Sequence, residues 1–442
     1  MPKIVVVGAV AGGATVASQI RYLDKDSSIT VFDQDETMSF AACGMPYYLG
    51  GHIENEQDLI ATTPEEFKDE KNITVKMKHR VIRIDREKKV VEVKDLLSNK
   101  TFEEAYDVLV LSPGGTPIVP ETDGLESAKV FTLRNFEDMR NIHTFIEAES
   151  PKSCVIVGAG FIGLEMAENL VDLGIKVTLV EKSPQVMNIL DVDSSDIVEK
   201  ELHEHGVKVY KENFITHVDG RNITLDQGEK LEADFILMSV GVSPSTELAS
   251  EAGLTIGDTR GIVTNEFMQT NDPAIYALGD AAENKDFITG QPKRVPLAWP
   301  AHRQAYIVAN HIAGQEIPFK GMLGTSIAKV FDLSVGMTGL GERSLKESDL
   351  TFKTVTQKSK SNAGYYPDHG DLFLKIHYDA KNRKVLGAQA VGEKGVDKRI
   401  DVIATAIYAG LTIDDLQALE LAYAPPYSSP KDPVNMASYR AK

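Results

Sequence analysis

The chain has 442 residues, of which 42% are hydrophobic and 25% are charged, and its formal net charge is −18. This length exceeds what one hydrophobic core supports and predicts roughly three domains. The negative charge argues against nucleic-acid binding, which depends on basic side chains that neutralise phosphates. Two cysteines cannot build a disulfide framework, and no segment approaches about 18 consecutive apolar residues. We therefore expect a cytoplasmic protein that does not span a membrane.

The first 33 residues follow the order of a dinucleotide-binding unit. Lys3 to Val7 is rich in β-branched residues and predicts a buried parallel strand, and Ser28 to Phe32 predicts a second one. Asp33, at the end of the second strand, can accept hydrogen bonds from an adenosine ribose. A turn between them, at the start of a predicted helix, can receive a pyrophosphate and contains three glycines: Gly8, Gly12 and Gly13. Because Val10 replaces the usual middle glycine, close packing alone remains an alternative explanation of this turn.

The stretch Ser39 to Tyr47 follows this unit and contains Cys43, one of the two cysteines. A thiol beside a nucleotide site predicts redox chemistry relayed through a cofactor. The alternative is that Cys43 is a small buried hydrophobic residue, the commonest fate of a cysteine without a disulfide. The second cysteine, Cys154, lies within a predicted strand, and we expect it to belong to the core.

A second dinucleotide-binding pattern begins at Ser153, and here the glycine motif is complete. Strands are predicted at Ser153 to Val157 and at Lys176 to Val180, and Glu181 follows the second one. The intervening turn contains Gly158, Gly160 and Gly163. A carboxylate at Glu181 favours NADH, because it accepts a hydrogen bond from the ribose 2′-hydroxyl and repels the 2′-phosphate of NADPH. Lys182 beside it leaves NADPH open.

Later segments complete a pattern of two nucleotide folds in tandem. Tyr106 to Leu111 predicts a strand that ends at Ser112 and Gly114, and Ile275 to Leu278 predicts a strand followed by Gly279, Asp280 and a helix start. Alternation between Ile73 and Val93 predicts antiparallel strands. We therefore expect an α/β protein with two Rossmann-like domains: an FAD-binding domain at 1–112 and 245–323, and an NAD(P)-binding domain at 113–244. Residues 324–442 predict an α+β domain that includes an irregular loop at Tyr423 to Lys431.

These motifs resemble those of the pyridine nucleotide–disulfide oxidoreductases, the flavoproteins related to glutathione reductase. The matching segments are residues 8–33, 112–114, 158–181 and 276–280. Most members have two nearby redox cysteines and a C-terminal His-Glu pair, whereas this chain has Cys43 alone and no histidine after His377. It therefore resembles the single-cysteine branch, which contains reductases of coenzyme A disulfide, NADH oxidases and NADH peroxidases.

Within that branch, the sequence is most similar to the reductases of coenzyme A disulfide, for example at Val295 to Trp299, Asp397 to Asp401 and Tyr423 to Lys431. Oxidases and peroxidases usually have a histidine in the first glycine loop, where this chain has Val10 and Ala11. The resemblance implies one FAD per subunit, NADPH or NADH as co-substrate, and a homodimer formed through a C-terminal dimerisation domain at 324–442. Reduction of coenzyme A persulfide or polysulfide, or of oxygen, remains an alternative, as does a redox-sensing flavin-binding protein without turnover. Two intact nucleotide sites argue against the last.

The resemblance also implies roles for individual residues. Cys43 alternates between a thiolate and a mixed disulfide with coenzyme A, and Tyr423 and Tyr365 reach in from a partner subunit as the other catalytic residues; packing in proline-rich loops is the alternative for both tyrosines. Cofactor contacts are implied at Gly8, Gly12, Gly13, Asp33, Ser112, Gly114, Gly158, Gly160, Gly163, Glu181, Gly279, Asp280 and Tyr423. Substrate contacts are implied at Thr15, Gln19, Tyr22, Ser39, Ala42, Lys71, His302 and Lys431. Tyr22 replaces an arginine and Ala42 an asparagine of the family pattern.

Overall fold

A computed structural model describes all 442 residues. The chain forms two compact units. The first unit comprises Met1–Ile118, Arg134–His143 and Val242–Met322, and the second comprises Val119–Leu133, Thr144–Gly241 and Leu323–Lys442. The second unit therefore contains both the second nucleotide-binding pattern and the C-terminal region. No helix combines the length and the apolar composition that crossing a bilayer requires.

The regular elements alternate between short strands and helices along most of the chain. The strands are β1 (Lys3–Val7), β2 (Ser28–Phe32), β3 (Thr74–Lys76), β4 (His79–Asp85), β5 (Val90–Asp95), β6 (Thr101–Ala105), β7 (Val108–Leu111), β8 (Gly115–Pro117), β9 (Val130–Phe131), β10 (Ser153–Val157), β11 (Lys176–Glu181), β12 (Lys208–Lys211), β13 (Ile215–Asp219), β14 (Asn222–Leu225), β15 (Lys230–Glu232), β16 (Phe235–Met238), β17 (Val242–Pro244), β18 (Ile262–Val263), β19 (Ile275–Ala277), β20 (Ala282–Lys285), β21 (Pro292–Lys293), β22 (Ser326–Val330), β23 (Leu333–Gly339), β24 (Phe352–Lys360), β25 (Asp371–Asp379) and β26 (Val385–Gly392). The α-helices are α1 (Ala11–Leu23), α2 (Met45–Leu49), α3 (Pro64–Lys71), α4 (Phe136–Glu149), α5 (Phe161–Asp172), α6 (Val192–Glu204), α7 (Glu247–Glu251), α8 (Ala298–Ile312), α9 (Glu342–Lys346), α10 (Val396–Ala409), α11 (Asp415–Ala418) and α12 (Pro433–Arg440).

The first nucleotide-binding pattern forms a parallel sheet with the strand order β19-β7-β1-β2-β3. Its central strand β1 is an unbroken apolar run, as expected for a strand covered on both faces, and Ile4 to Val7 lie in the core. Helix α1 packs against α8. The antiparallel prediction is confirmed for β4 and β5. It is wrong for Ile73 to Met77, because β3 pairs in parallel with β2; a half-buried edge strand can alternate in either type of sheet.

The second nucleotide-binding pattern repeats this arrangement in the second unit, with the strand order β12-β11-β10-β16-β9. Cys154 lies in the central strand β10 and is 1% exposed, which confirms that it is a core residue. Strands β13, β14 and β15 form a separate antiparallel sheet.

The predicted helix start after Asp280 is wrong. A single 3-10 turn at Gly279–Ala281 is followed by strand β20, which pairs with β18 and β21. Helix α8 begins only at Ala298. Pairing of Ala282 and Glu283 with Ile262 and Val263, which are distant in sequence, competes successfully with helix continuation.

The C-terminal region folds around an antiparallel sheet with the order β22-β23-β26-β25-β24. Helix α10 packs against β23 and β26, and these strands consist almost entirely of buried residues. The segment from Tyr423 to Lys431 contains no helix or strand, as the prolines predict. It leads into α12, which Asp432 caps through a reciprocal hydrogen-bonding pair with Asn435.

Candidate active site

Cys43 lies on an exposed 3-10 turn, Ala42–Gly44, that leads into the short helix α2. The turn is anchored on its N-terminal side by Ser39, which has a positive φ of 47° and donates its backbone N–H to the Ala9 oxygen at 2.9 Å. The exposed thiol excludes the alternative of a buried hydrophobic cysteine. Ala42 is exposed as well, so a disulfide can approach the sulfur from solvent.

The glycines of the first nucleotide loop are required by close packing, against backbone atoms at Gly8 and Gly13 and against side chains at Gly12. Gly8 has a φ of 99°, and an added Cβ would lie 2.1 Å from the Ser112 oxygen. A Cβ on Gly13 would lie 1.8 Å from the Gly8 oxygen, and one on Gly12 would lie 2.6 Å from the Ser112 hydroxyl oxygen. The helix N-terminus is therefore held tightly against the ends of β1 and β7, as a pyrophosphate-binding turn requires.

The second loop repeats this packing but leaves one glycine open. Gly158 has a φ of 103°, and a Cβ on Gly163 would lie 2.0 Å from the Gly158 oxygen. A Cβ on Gly160 would meet no atom within 4 Å. Protein packing does not require glycine at this position, whereas close approach of a phosphate to the backbone would. The loop therefore fits a dinucleotide.

The two acids after the second strands have the same local geometry. Asp33 accepts a hydrogen bond from the Ala9 N–H at 2.6 Å, and Glu181 accepts one from the Ala159 N–H at 2.7 Å. Burial raises the pKa of Asp33, although backbone amides oppose this effect. Each carboxylate retains lone pairs that can accept from a ribose hydroxyl. Lys182 is turned toward Phe214, with its Nζ 5.9 Å from the ring centroid.

The later predicted cofactor residues gather beside the first loop. Asp280 forms an ion pair with Arg134 at 2.8 Å, and the Gly279 N–H donates to Gln304 at 2.8 Å. A Cβ on Gly279 would lie 3.6 Å from the Ser112 hydroxyl oxygen, and one on Gly114 would lie 2.9 Å from the Arg134 guanidinium. The structure thus brings Ser112, Gly114, Gly279 and Asp280 together, and it adds Arg134, which the sequence analysis missed.

Most of the predicted substrate residues lie on or beside one face of α1. Thr15, Gln19 and Tyr22 follow the helical spacing of three to four residues, and Tyr22 is 74% exposed. The Thr15 hydroxyl is 2.8 Å from the His302 Nδ1, so α8 contributes its histidine to this face. The prediction from sequence is that these residues contact substrate, and the structure places them within one surface.

Lys71 joins the same surface from the end of α3. Its Nζ donates to the Ser18 hydroxyl at 3.1 Å and lies 4.3 Å from the centroid of Phe67. Arg21 of α1 connects this helix to the end of α3, because its buried guanidinium donates to the backbone oxygens of Lys71 and Asn72 at 2.9 and 3.2 Å. Ser18 was missed by the sequence analysis, although its position three residues after Thr15 would have indicated it.

The remaining predicted site residues lie in the second unit. Tyr365 and Tyr423 are exposed, and their hydroxyl oxygens are 3.2 Å apart. The hydrogen bond with Tyr365 raises the pKa of Tyr423. Lys431 is exposed, with its Nζ 5.3 Å from the Tyr439 ring centroid. The two tyrosine hydroxyl groups therefore form a hydrogen-bonded pair on the surface, whereas the Lys431 side chain lies over the ring of Tyr439.

Two glycine loops of this geometry and an exposed cysteine define a redox protein with two dinucleotide sites. The family model described as pyridine nucleotide-disulphide oxidoreductase matches residues 2–305, and the model of the dimerisation domain of these proteins matches residues 325–433. The chain belongs to the pyridine nucleotide–disulphide oxidoreductase family. It is an oxidoreductase that uses FAD and NAD(P)H, and its C-terminal domain indicates a homodimer. The predicted fold class and cofactors are thereby confirmed.

Individual relatives match the full length of the chain. A coenzyme A disulfide reductase of Staphylococcus aureus (strain COL) is 44% identical, with complete coverage of both chains. The crystal structure of reduced CoADR-RHD from Bacillus anthracis has a TM-score of 0.97 and 45% identity, and it covers 99% of this chain and 79% of that one. An NAD-dependent persulfide reductase from A. fulgidus has a TM-score of 0.96 and 37% identity, with coverage of 99% and 82%.

Proposed function

We propose that the protein reduces coenzyme A disulfide to two coenzyme A thiols with NAD(P)H, and that Cys43 is the residue that exchanges with the disulfide. The observation that carries this proposal is the exposed Cys43 turn in the same unit as the Thr15–His302 surface. The full-length similarity to a coenzyme A disulfide reductase supports the choice of substrate.

The chemistry follows from the nucleophilicity of a thiolate. The Cys43 thiolate attacks one sulfur of coenzyme A disulfide, the S–S bond breaks, and one coenzyme A thiolate leaves and takes a proton. Two electrons from NAD(P)H then cleave the resulting mixed disulfide, which releases the second coenzyme A and restores the Cys43 thiolate. Bound FAD supplies the two-electron relay between a nicotinamide and a disulfide.

The chain's own residues would bind and orient the substrate. The Lys71 ammonium is suited to a phosphate of coenzyme A, and Thr15, Gln19 and His302 offer hydrogen bonds beside it. Tyr22 stands where the family pattern has an arginine, but the Nζ of Lys25 lies 5.4 Å from its ring centroid. We propose that Lys25 supplies the missing positive charge at this end of α1.

We further propose that the Tyr365–Tyr423 pair comes from the partner subunit and donates the proton that the leaving coenzyme A thiolate takes. The short distance between the two hydroxyl groups supports this role, because the Tyr423 hydroxyl can donate a hydrogen bond to the Tyr365 oxygen as Tyr365 loses its proton. Glu181 supports a preference for NADH over NADPH. The reaction would take place in the cytoplasm, where reduced nicotinamide nucleotides are available.

The proposal is tested by following NADH and NADPH oxidation with coenzyme A disulfide, polysulfide or oxygen as the acceptor. Coenzyme A disulfide should give the highest rate, Cys43→Ser should abolish it, and Cys154→Ala should retain it because that thiol is buried in β10. A rate with coenzyme A disulfide no higher than the oxygen background would contradict the proposed substrate. Full activity of Cys43→Ser would contradict the role of Cys43.

A second candidate is reduction of coenzyme A persulfide or polysulfide through the same cysteine. The close structural similarity to the persulfide reductase from A. fulgidus favours it. In the same assay, a higher rate with polysulfide than with coenzyme A disulfide, still lost in Cys43→Ser, would select this candidate.

A further inference from the structure

Arg399 is a buried arginine in α10 whose guanidinium lies beneath two surface loops. Arg399 is 1% exposed, and it forms a bidentate ion pair with Asp432, which is 2% exposed. The Nη2 donates to Asp432 at 2.9 Å and the Nε at 3.3 Å. The same Nη2 donates to the Ser361 backbone oxygen at 2.8 Å. One guanidinium therefore connects two segments that are distant in sequence.

Each of these segments leads directly to one of the two tyrosines. Ser361 precedes the loop that carries Tyr365, and Asp432 follows the loop that carries Tyr423. Within the second loop, the Ser428 hydroxyl donates to Asp432 at 2.7 Å. Arg399 thus holds the start of one loop and the end of the other.

Direct hydrogen bonds then join the two loops between Arg399 and the tyrosines. The Pro425 oxygen accepts from the Ala363 N–H at 3.2 Å and from the Asn362 side-chain amide at 3.3 Å. The Asn362 backbone oxygen in turn accepts from the Ser429 hydroxyl at 3.5 Å. Asn362 and Ala363 are buried, whereas Tyr365 is 76% exposed. The exposed tyrosines are therefore anchored on a buried network of hydrogen bonds between the two loops.

The charged groups in this buried network compensate one another. Burial alone would raise the pKa of Asp432, but the Arg399 guanidinium and the hydrogen bonds from Val434 and Ser428 hold it below its ordinary value. The Lys398 ammonium approaches Asp432 at 3.6 Å and donates to the Ala422 oxygen, next to Tyr423. A buried pair of this kind is costly to break, because one charge is left without its partner.

We infer that Arg399 and Asp432 are positioning residues for the Tyr365–Tyr423 pair, acting through Ser361 and Ser428 to hold the two hydroxyl groups within hydrogen-bonding distance. This inference rests on the proposed function, in which that pair serves the leaving coenzyme A. Neither Arg399 nor Asp432 is a catalytic residue, since both are buried beneath the loops.

The test is a double-mutant cycle in the full-length holoenzyme. Arg399→Lys keeps the positive charge but cannot hold both Asp432 oxygens and the Ser361 oxygen, because an ammonium lacks the planar fork of a guanidinium. It should lower kcat with coenzyme A disulfide by about tenfold to about a hundredfold, since small displacements of reacting groups have effects of this size. In a Tyr365→Phe/Tyr423→Phe background, the same change should have an effect of about twofold or less.

Two further measurements separate positioning from a general loss of stability. Titration of tyrosinate absorbance, with Tyr423→Phe as the reference, should show that the pKa of Tyr423 falls in Arg399→Lys as the hydrogen bond with Tyr365 is lost. Ser428→Ala, which removes a single hydroxyl, should cause the same shift to a smaller extent and serves if Arg399→Lys does not fold. Arg383→Lys is the matched control, because Arg383 pairs with Asp414 at 2.8 Å without contacting either loop; it should leave kcat unchanged.

Equal losses of kcat from Arg399→Lys in both backgrounds would overturn the inference while leaving the proposed function intact. An unshifted pKa of Tyr423 in both Arg399→Lys and Ser428→Ala would overturn it as well. Failure of the proposed function is seen separately: the Tyr365→Phe/Tyr423→Phe enzyme would then be as active as the parent, without any change at Arg399.

Discussion

Replacing Glu165 by glutamine should stabilise the protein at alkaline pH and leave its stability unchanged at acidic pH. Glu165 lies in α5, one helical turn before Glu168. Burial, reinforced by the charge of Glu168, raises the pKa of Glu165 to about 7 from its ordinary value of 4.5. Glu168 itself is compensated by an ion pair with Lys329 and a 2.8 Å hydrogen bond from the Phe331 N–H. Glu165 has no comparable cation.

The size of the effect follows from the two pKa values. Because the native protein binds the Glu165 proton more tightly than the unfolded chain, the stability that this proton provides is complete below a pH of about 4.5 and is lost as the pH rises through about 7. At about 1.4 kcal/mol per pKa unit, the loss is at most about 3.5 kcal/mol, and partial solvent access reduces it to about 2 kcal/mol. A glutamine at this position avoids the loss.

Thermal unfolding at two pH values checks this reasoning. At pH 8, Glu165→Gln should raise the midpoint temperature by about 4–8 °C, since 1 kcal/mol corresponds to about 2–4 °C for units of this size. At about pH 4, the parent and the variant should unfold together. Glu168→Gln is the matched control and should destabilise, because the buried side chain loses its ion pair with Lys329 and its charge-assisted hydrogen bond from the Phe331 N–H. A Glu165→Gln midpoint equal to the parent at pH 8, or an equal gain at both pH values, would refute the argument.

Three further changes test the nucleotide loops and the buried charges. Gly163→Ala should abolish flavin reduction by NADH while bound FAD absorbance remains, because its Cβ would clash with the loop backbone at 2.0 Å; normal reduction would contradict this. Ser39→Val should have a free energy of unfolding about 1–2 kcal/mol lower than that of Ser39→Gly, since a positive φ of 47° disfavours a branched side chain; equal thermal midpoints would contradict it. Asp191→Asn should lower the free energy of unfolding by about 1.5–3 kcal/mol, because Lys375 and His377 lose the carboxylate that they contact at 3.0 and 2.9 Å, while Lys375 keeps its ion pairs with Asp193 and Glu342; a change below about 1 kcal/mol in denaturant unfolding would contradict this expectation.

The parts of the fold that are predicted correctly from the sequence are formed by residues that are neighbours in the chain. Apolar runs followed by glycines and an acid define both parallel sheets, because strand, turn and helix are adjacent in the chain. Errors arise where distant pairing decides the outcome. Ile73 to Met77 joins a parallel sheet through β2, and Ala282 and Glu283 form a strand because residues 262–263 are available to pair with them.

The candidate site likewise combines features that follow from local sequence with features that depend on contacts between distant segments. Thr15, Gln19 and Tyr22 are recognisable as one surface from helical spacing alone, but their proximity to His302 and Lys71 depends on the packing of α8 and α3. Arg399 lies in the Asp397 to Asp401 segment of the family resemblance, but no local signal pairs it with Asp432, which is far away in the sequence. Buried charge pairs of this kind can be recognised only from the three-dimensional structure.

The two nucleotide-binding patterns share one further detail of their backbone structure. Ser39 follows Asp33 by six residues and Met187 follows Glu181 by six; both have a positive φ, and each donates its backbone N–H to the residue after the first glycine of its loop, at 2.9 and 2.8 Å. The fourth residue after Ser39 is Cys43, and the fourth after Met187 is Asp191. Asp191 is buried and compensated by Lys375 and His377, whereas Cys43 is exposed on its turn. The shared backbone contact is therefore followed by an exposed thiol on a 3-10 turn in one unit and by a buried, ion-paired carboxylate at a helix N-terminus in the other, so the glycine loop alone does not determine which side chain follows it.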